Sequence, residues 1–234
     1  RRRGGGLEGI FGRDLELATL ERFLDSAPTW PSVVVIEGEA GIGKTTLWLE
    51  GVHRAAERGV RALQAQPAES ELKLSYVALA DLVVEAFDEV GSALPQVQQR
   101  ALAGALALDD AGDGTSARTT ATAFVGVLAA CAEKGAVLLA VDDVQWLDSA
   151  SAETLAFGLR RLPPKVGVLL AHRVGPGQEL PLGLARALPD GHRVADVLAD
   201  RLPGLGLERE HVGAVAPGHE RRAELVTVDR PAHL

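Results

Sequence analysis

The chain has 234 residues, of which 47% are hydrophobic and 24% charged, and this composition excludes an intrinsically disordered protein. Its length is sufficient for one large domain with a full hydrophobic core. A formal net charge of −8 argues against a nucleic-acid-binding surface in this part of the protein.

The N-terminus and the single cysteine bear on the cellular compartment. Residues 1–6 are basic and glycine-rich, and no apolar segment follows them that could form a signal peptide. The longest apolar runs, such as residues 136–141, are too short to cross a bilayer. Cys131 has no partner for an internal disulfide and falls on the apolar face of a predicted helix. We therefore expect a soluble, cytoplasmic protein without membrane contact; the lack of any methionine suggests a fragment.

Helix and strand signals alternate in the first part of the chain. Apolar residues at helical spacing predict a helix over residues 14–26, and the β-branched run 32–37 predicts a buried strand. After the glycine-rich segment 38–43, the pattern predicts a helix over residues 44–58 and a second strand over residues 60–66.

A helical segment is predicted to follow the second strand. Its three helices cover residues 79–90, a stretch that opens at Pro95, and residues 121–132. Between the last two, the polar, glycine-containing segment 109–114 predicts a mobile loop.

Strand signals return after the helical segment. Residues 136–141 and 166–171 predict two more buried strands, and the helix between them has Asp148 and Ser149 as candidate capping residues.

The C-terminal signals are weaker. They indicate a short helix over residues 182–188 and a last strand over residues 194–198, and no element is predicted after Pro203. We divide the chain into a disordered N-terminus (1–6), one main domain (7–200) and a poorly defined tail (201–234).

Strands that alternate with helices predict an α/β fold with a parallel sheet of about five strands and right-handed crossovers. The helical segment is an insert between the second and third strands. Ligands of such sheets bind beyond the carboxyl ends of the strands, which places Gly38, Asp142 and Arg173 along one edge.

The glycine-rich segment matches the P-loop pattern G-x-x-x-x-G-K-[ST]. Its glycines permit unusual dihedrals and allow backbone N–H groups to surround a polyphosphate. The predicted cradle comprises Gly38, Glu39, Ala40, Gly41, Ile42, Gly43, Lys44, Thr45 and Thr46.

Within this P-loop, Lys44 is the candidate that reaches the β- and γ-phosphates, and Thr45 is a candidate Mg²⁺ ligand. The alternative is a strand–helix turn that matches the pattern by chance. The position between a buried strand and an amphipathic helix favours a phosphate site and the P-loop NTPase fold.

A second acidic motif completes the predicted site. Four or more apolar residues that end in an acid are typical of a Walker B strand, and residues 137–143 have this pattern. Asp142 is a candidate Mg²⁺ ligand. Asp143 is the candidate that orients or deprotonates the attacking water. Two acids at a solvated strand end are the alternative explanation.

Two arginines are further candidates. Arg173 follows the fourth strand, where it could sense the γ-phosphate, although a solvated arginine is also common at a strand end. Arg13 precedes the first helix and is a weaker candidate for a position near the nucleotide base. The neighbouring His172 is expected to be structural.

Five segments together resemble the ATPase domain of the large ATP-binding LuxR-type regulators, which are STAND-class signalling ATPases related to the AAA+ ATPases. The domain also resembles modules of some bacterial adenylate cyclases and kinases. The segments are Phe11-Gly12-Arg13-Asp14, GEAGIGKTT (38–46), LSYVALADL (74–82), VDDVQWLDSAS (141–151) and LLAHR (169–173).

The resemblance implies a regulatory switch that binds ATP or ADP with Mg²⁺ and hydrolyses ATP slowly. Lys44, Thr45, Asp142, Asp143 and Arg173 would take the roles given above, and Arg13 would belong to a nucleotide-contact motif. The implied partners, besides nucleotide, are other copies of the chain or the output domains of a larger regulator. The sensor and DNA-binding regions of such regulators are not recognisable here, and residues 201–234 are a truncated lid domain at most.

Four alternatives stay open. The chain could be a non-catalytic nucleotide-binding module or an inactive truncated fragment. A small-molecule kinase is disfavoured because Arg100 and Arg118 are the only arginines of the helical insert. An oligomeric motor would need an arginine finger, for which Arg160 and Arg161 are candidates, although surface charge explains them as well.

Overall fold

The structure is a computed structural model that describes residues 13–106, 116–188 and 222–227. Its helices are α1 (Asp14–Asp25), α2 (Lys44–Glu57), α3 (Val77–Val90), α4 (Gln96–Ala105), α5 (Ala117–Lys134), α6 (Ser149–Leu159) and α7 (Leu182–Ala187). Its strands are β1 (Ser32–Gly38), β2 (Arg61–Ala65), β3 (Val137–Val141), β4 (Val166–Arg173) and β5 (Arg222–Thr227).

All five strands belong to one parallel sheet, in the order β2-β3-β4-β1-β5. Helices connect them because parallel neighbours require long crossover connections. The helical insert, α3 to α5, lies between β2 and β3. The predicted α/β P-loop NTPase fold is therefore confirmed.

Strand β5 is a difference from the sequence prediction. No element was expected after Pro203, yet Arg222–Thr227 pairs in parallel with β1 from Ser32 to Glu37. Its six residues include two charged ones and only three apolar ones, so the local pattern is weak. Pairing with a distant strand stabilises such a segment, and propensity alone does not reveal it.

Some predicted features lie outside the described residues. They are the N-terminus (1–6), the loop over residues 109–114 and the strand over residues 194–198.

The sheet separates two hydrophobic cores, because successive residues of a strand face opposite sides. Val34 and Ile36 of β1 pack in the core under α1 and α2, whereas Val33 and Val35 pack in the core under the insert and α6. Burial on both faces is the reason why β1, β3 and β4 are largely apolar. Cys131 is buried in the second core, as predicted, and burial raises the pKa of its thiol.

Helix α1 is held against α2 by apolar and ionic contacts. Leu20 shares a core with Leu47 of α2, and Glu21 forms ion pairs with Arg54 and Arg58 of α2. This packing brings Arg13, which directly precedes α1, to the glycine-rich loop. Within the described part of the chain, no helix is both long and apolar enough to span a membrane.

Candidate functional site

The P-loop connects β1 to α2 through a turn that requires glycine. Gly41 and Gly43 have φ angles of 74° and 90°, in the left-handed region that side chains disfavour. Helix α2 begins at Lys44, and no side-chain hydrogen bond caps its N-terminus. The first N–H groups of α2 can therefore bind an anion, with the helix dipole in the favourable direction.

Lys44 is buried, with 6% of its surface exposed, and its Nζ donates a hydrogen bond to the carbonyl of Glu39 at 2.9 Å. Burial lowers the pKa of Lys44, and the charges of Asp143 and Asp142 oppose this effect. Arg173 lowers the same pKa further. The fold thus brings the four charged side chains of the predicted site close enough to interact.

Asp142 directly follows β3 and is buried. Its backbone N–H donates to the carbonyl of Ala65 at 3.0 Å, which fixes the chain after β3 against the end of β2. Burial raises the pKa of Asp142, whereas a hydrogen bond from the hydroxyl of Thr45 lowers it. A hydroxyl and a carboxylate oxygen that meet in this way are ligands that Mg²⁺ prefers, so the donor set fits this ion.

The backbone at Asp143 is strained. Its φ of 42° places a residue with a side chain in the left-handed region. Two hydrogen bonds retain this conformation: Asp143 N–H donates to Oδ1 of Asp142 at 2.9 Å, and Trp146 N–H donates to the Asp143 carbonyl at 2.9 Å. Strain held in place by its surroundings is characteristic of functional sites.

Arg173 is the last residue of β4 and lies opposite Gly38 of β1 in the parallel register. The next residue, Val174, donates its N–H to the Gly38 carbonyl at 3.0 Å. The side chain of Arg173 is exposed, and its charge acts on Lys44. Gly38, Asp142 and Arg173 therefore lie along one edge of the sheet.

Arg13 contacts the P-loop from the side of α1. Its guanidinium donates to the carbonyl of Ile42 and, at 3.3 Å, to the carbonyl of Gly43. A Cβ added at Gly43 would lie 2.8 Å from Nη2 of Arg13, so glycine also leaves room for the guanidinium.

Other predicted residues lie on the surface. Glu39, Ala40 and Thr46 are exposed, and Glu39 participates through its backbone carbonyl. Arg161 lies over the ring of Phe157 at the end of α6, with 3.9 Å from Cζ to the ring centroid.

His172 is structural in its contacts, as expected. Its two ring nitrogens lie 3.2 Å from Oε1 of Glu37 and 2.7 Å from the carbonyl of Gln178. These contacts join the end of β1 to the segment after β4.

Two features of the site escaped the sequence analysis. The side-chain amide of Gln145 forms hydrogen bonds with Asp143 and with the backbone of Arg173. The only signal in the sequence was its place in the VDDVQWLDSAS motif. Asp148, predicted only as a helix cap, also contacts the start of α3.

The Asp148 carboxylate caps two helices at once. It accepts the N–H of Ser151 at 2.9 Å, which confirms the predicted cap of α6. It also accepts the N–H groups of Tyr76 at 2.9 Å and Ala78 at 3.4 Å, and Ser151 Oγ accepts that of Leu79 at 2.9 Å. The LSYVALADL and VDDVQWLDSAS motifs are thus joined by a buried carboxylate.

Comparison with known families agrees with this geometry. Residues 9–171, well over half of the chain, match the model of the AAA ATPase domain. The chain belongs to the AAA ATPase domain family. No curated protein sequence matches it.

Solved structures similar to this AAA ATPase domain are distant. AMPPCP-bound DnaA from Aquifex aeolicus is 18% identical with a TM-score of 0.39, covering 78% of this chain and 43% of its own. The Aeropyrum pernix ORC2 protein (ADPNP-ADP complexes) is 18% identical with a TM-score of 0.44, covering 81% and 48%. The chain thus spans less than half the length of either protein.

We predict that Asp148→Ala lowers the free energy of unfolding by about 2 kcal/mol or more, because a helix cap is lost and buried N–H groups lose their acceptor. Asp148→Asn, which keeps one acceptor oxygen, is expected to cost less. Urea denaturation measures both, with the exposed Asp88→Ala as a control expected to change stability by less than about 0.5 kcal/mol. Equal stability of Asp148→Ala and the control would contradict the double cap.

Proposed function

We propose that this chain is the ATP-binding and slowly ATP-hydrolysing switch domain of a LuxR-type transcriptional regulator. The observation that supports it best is the meeting of Lys44, Thr45, Asp142 and Asp143 beside the P-loop. The family match supports the ATPase part of the proposal. The LuxR-type part is supported by the five sequence segments that resemble those regulators.

In this proposal, the P-loop backbone and the first turn of α2 bind the phosphates, and Lys44 neutralises the β- and γ-phosphates. Its burial strengthens this attraction, because charges interact more strongly away from water. Thr45 and Asp142 would hold Mg²⁺, which supplies charge neutralisation at the phosphate oxygens.

Hydrolysis is assigned to the remaining charged groups. Asp143 orients the attacking water and accepts its proton, and Arg173 stabilises the charge that develops on the γ-phosphate. Arg13 belongs to the proposed nucleotide-contact motif. Its hydrogen bonds to the carbonyls of Ile42 and Gly43 also support the P-loop.

The proposed partners follow from charge and from the resemblance. A net charge of −8 supports the expectation that DNA contact belongs to another domain of the regulator. We propose that the chain acts in the cytoplasm, through self-association or contact with output domains.

Lys44→Ala tests the phosphate site. We expect the parent chain to bind Mg-ATP and Mg-ADP with micromolar affinity, and the variant to bind at least tenfold more weakly, a loss of about 1.4 kcal/mol. Isothermal titration calorimetry measures both, with Lys134→Ala as the matched control because this exposed lysine lies in the last turn of α5. Unchanged binding by Lys44→Ala would refute the site. A parent chain that neither binds nor gains thermal stability would be an inactive fragment.

Asp143→Asn tests hydrolysis separately from binding. The variant removes the proton acceptor but keeps the size of the side chain, so we expect turnover to fall by roughly 100-fold or more. The dissociation constant for Mg-ATP should stay within about threefold of the parent, since Asp143 is not assigned to phosphate binding. Steady-state phosphate release and calorimetry measure these quantities. A parent that binds ATP without any turnover would instead be a passive nucleotide-binding module.

If the domain is a switch, the bound nucleotide should change the oligomeric state of the chain. We expect Asp143→Asn, which retains ATP, to have a larger mass by light scattering with Mg-ATP than with Mg-ADP. Because a ligand shifts only an equilibrium between states that it binds differently, equal masses with both nucleotides would count against a self-assembling switch.

A further inference from the structure

Gln145 occupies a bridging position in the site. It lies in the 3₁₀ turn Val144–Trp146, directly after the two Walker B acids, and only 8% of its surface is exposed. Its Nε2 donates to Oδ1 of Asp143 at 2.8 Å. Its Oε1 accepts the backbone N–H of Arg173 at 3.0 Å.

The two contacts require the same orientation of the amide. An ionised carboxylate can only accept a hydrogen bond, and a backbone N–H can only donate one. The NH₂ group must therefore face Asp143 and the oxygen must face Arg173. A glutamate would retain the acceptor but lose the donor, and a leucine would lose both.

The bridge joins two parts of the site that belong to different strands. Asp143 lies in the turn that follows β3, and its carboxylate accepts the hydrogen bond from Gln145. Arg173 ends β4, opposite Gly38 at the start of the P-loop. A single buried amide therefore connects the Asp143 carboxylate to the end of β4 at Arg173.

We propose that Gln145 is a positioning residue for hydrolysis, which rests on the catalytic role proposed for Asp143. Its amide occupies Oδ1 of Asp143 and holds the carboxylate in one rotamer, with Oδ2 directed to the attacking water. Preorganised groups lower the barrier because they do not have to reorient during the reaction. No contact with the phosphates is assigned to Gln145, so nucleotide affinity does not depend on it.

Gln145→Leu and Gln145→Glu test the proposal in the full chain. Both variants should lower kcat for ATP hydrolysis at least tenfold, while the dissociation constant for Mg-ATP stays within about threefold of the parent. Gln99→Leu is the matched control, because this glutamine of α4 uses its amide to contact the Leu94 carbonyl away from the site. The control should hydrolyse ATP at the parent rate.

Amide hydrogen exchange at Arg173, followed by NMR, separates positioning from general structural damage. The N–H should exchange at least tenfold faster in Gln145→Leu, which lacks the acceptor, and remain protected in Gln145→Glu, which keeps it. Both variants lose the N–H donor to Asp143, whereas the acceptor for Arg173 is lost only in Gln145→Leu, so a fall of kcat in both supports the proposal.

Three results would overturn it. Parent-like kcat in both variants would refute the role of Gln145 alone, provided that the parent hydrolyses ATP. A parallel loss of kcat, nucleotide affinity and melting temperature would show that Gln145 only stabilises the fold. If the parent chain does not hydrolyse ATP, the proposed hydrolysis is refuted, and the role of Gln145 is refuted with it.

Discussion

The parallel register of β1 against β4 is the constraint on which the site depends. It sets Gly38 opposite Arg173, and pairing of β4 with β3 brings the Walker B acids to the same edge. Because the strands are parallel, their carboxyl ends and the loops that follow them share that edge. A register shift by one residue would move Gly38 away from Arg173, and with it the start of the P-loop away from the end of β4.

Two charged side chains of the site, Lys44 and Asp142, reduce the stability of the fold because they are buried. Burial lowers the pKa of Lys44 and raises that of Asp142, so in each case it favours the uncharged form. Asp143 adds backbone strain. Opposite charges nearby offset part of this cost, and a phosphate or a cation would offset more. Such an arrangement is typical of a site that is prepared for charged ligands.

The contacts made by Asp148 explain why two separate motifs occur together. One carboxylate holds the start of α3, at Tyr76 and Ala78, and the start of α6, at Ser151. The helical insert is therefore attached to the segment that follows the Walker B strand.

Local patterns in the sequence determined the types of the elements, the P-loop and the acid pair, because dihedral preferences and hydrophobic periodicity act over a few residues. Gly41 and Gly43 are required by their own φ angles, for example. Only the tertiary structure decided that Gln145 bridges to Arg173, 28 residues away, and that Asp148 reaches Tyr76, 72 residues away. The same holds for β5. These contacts depend on strand order, register and helix packing, and no short segment encodes which distant group will complete its hydrogen bonds.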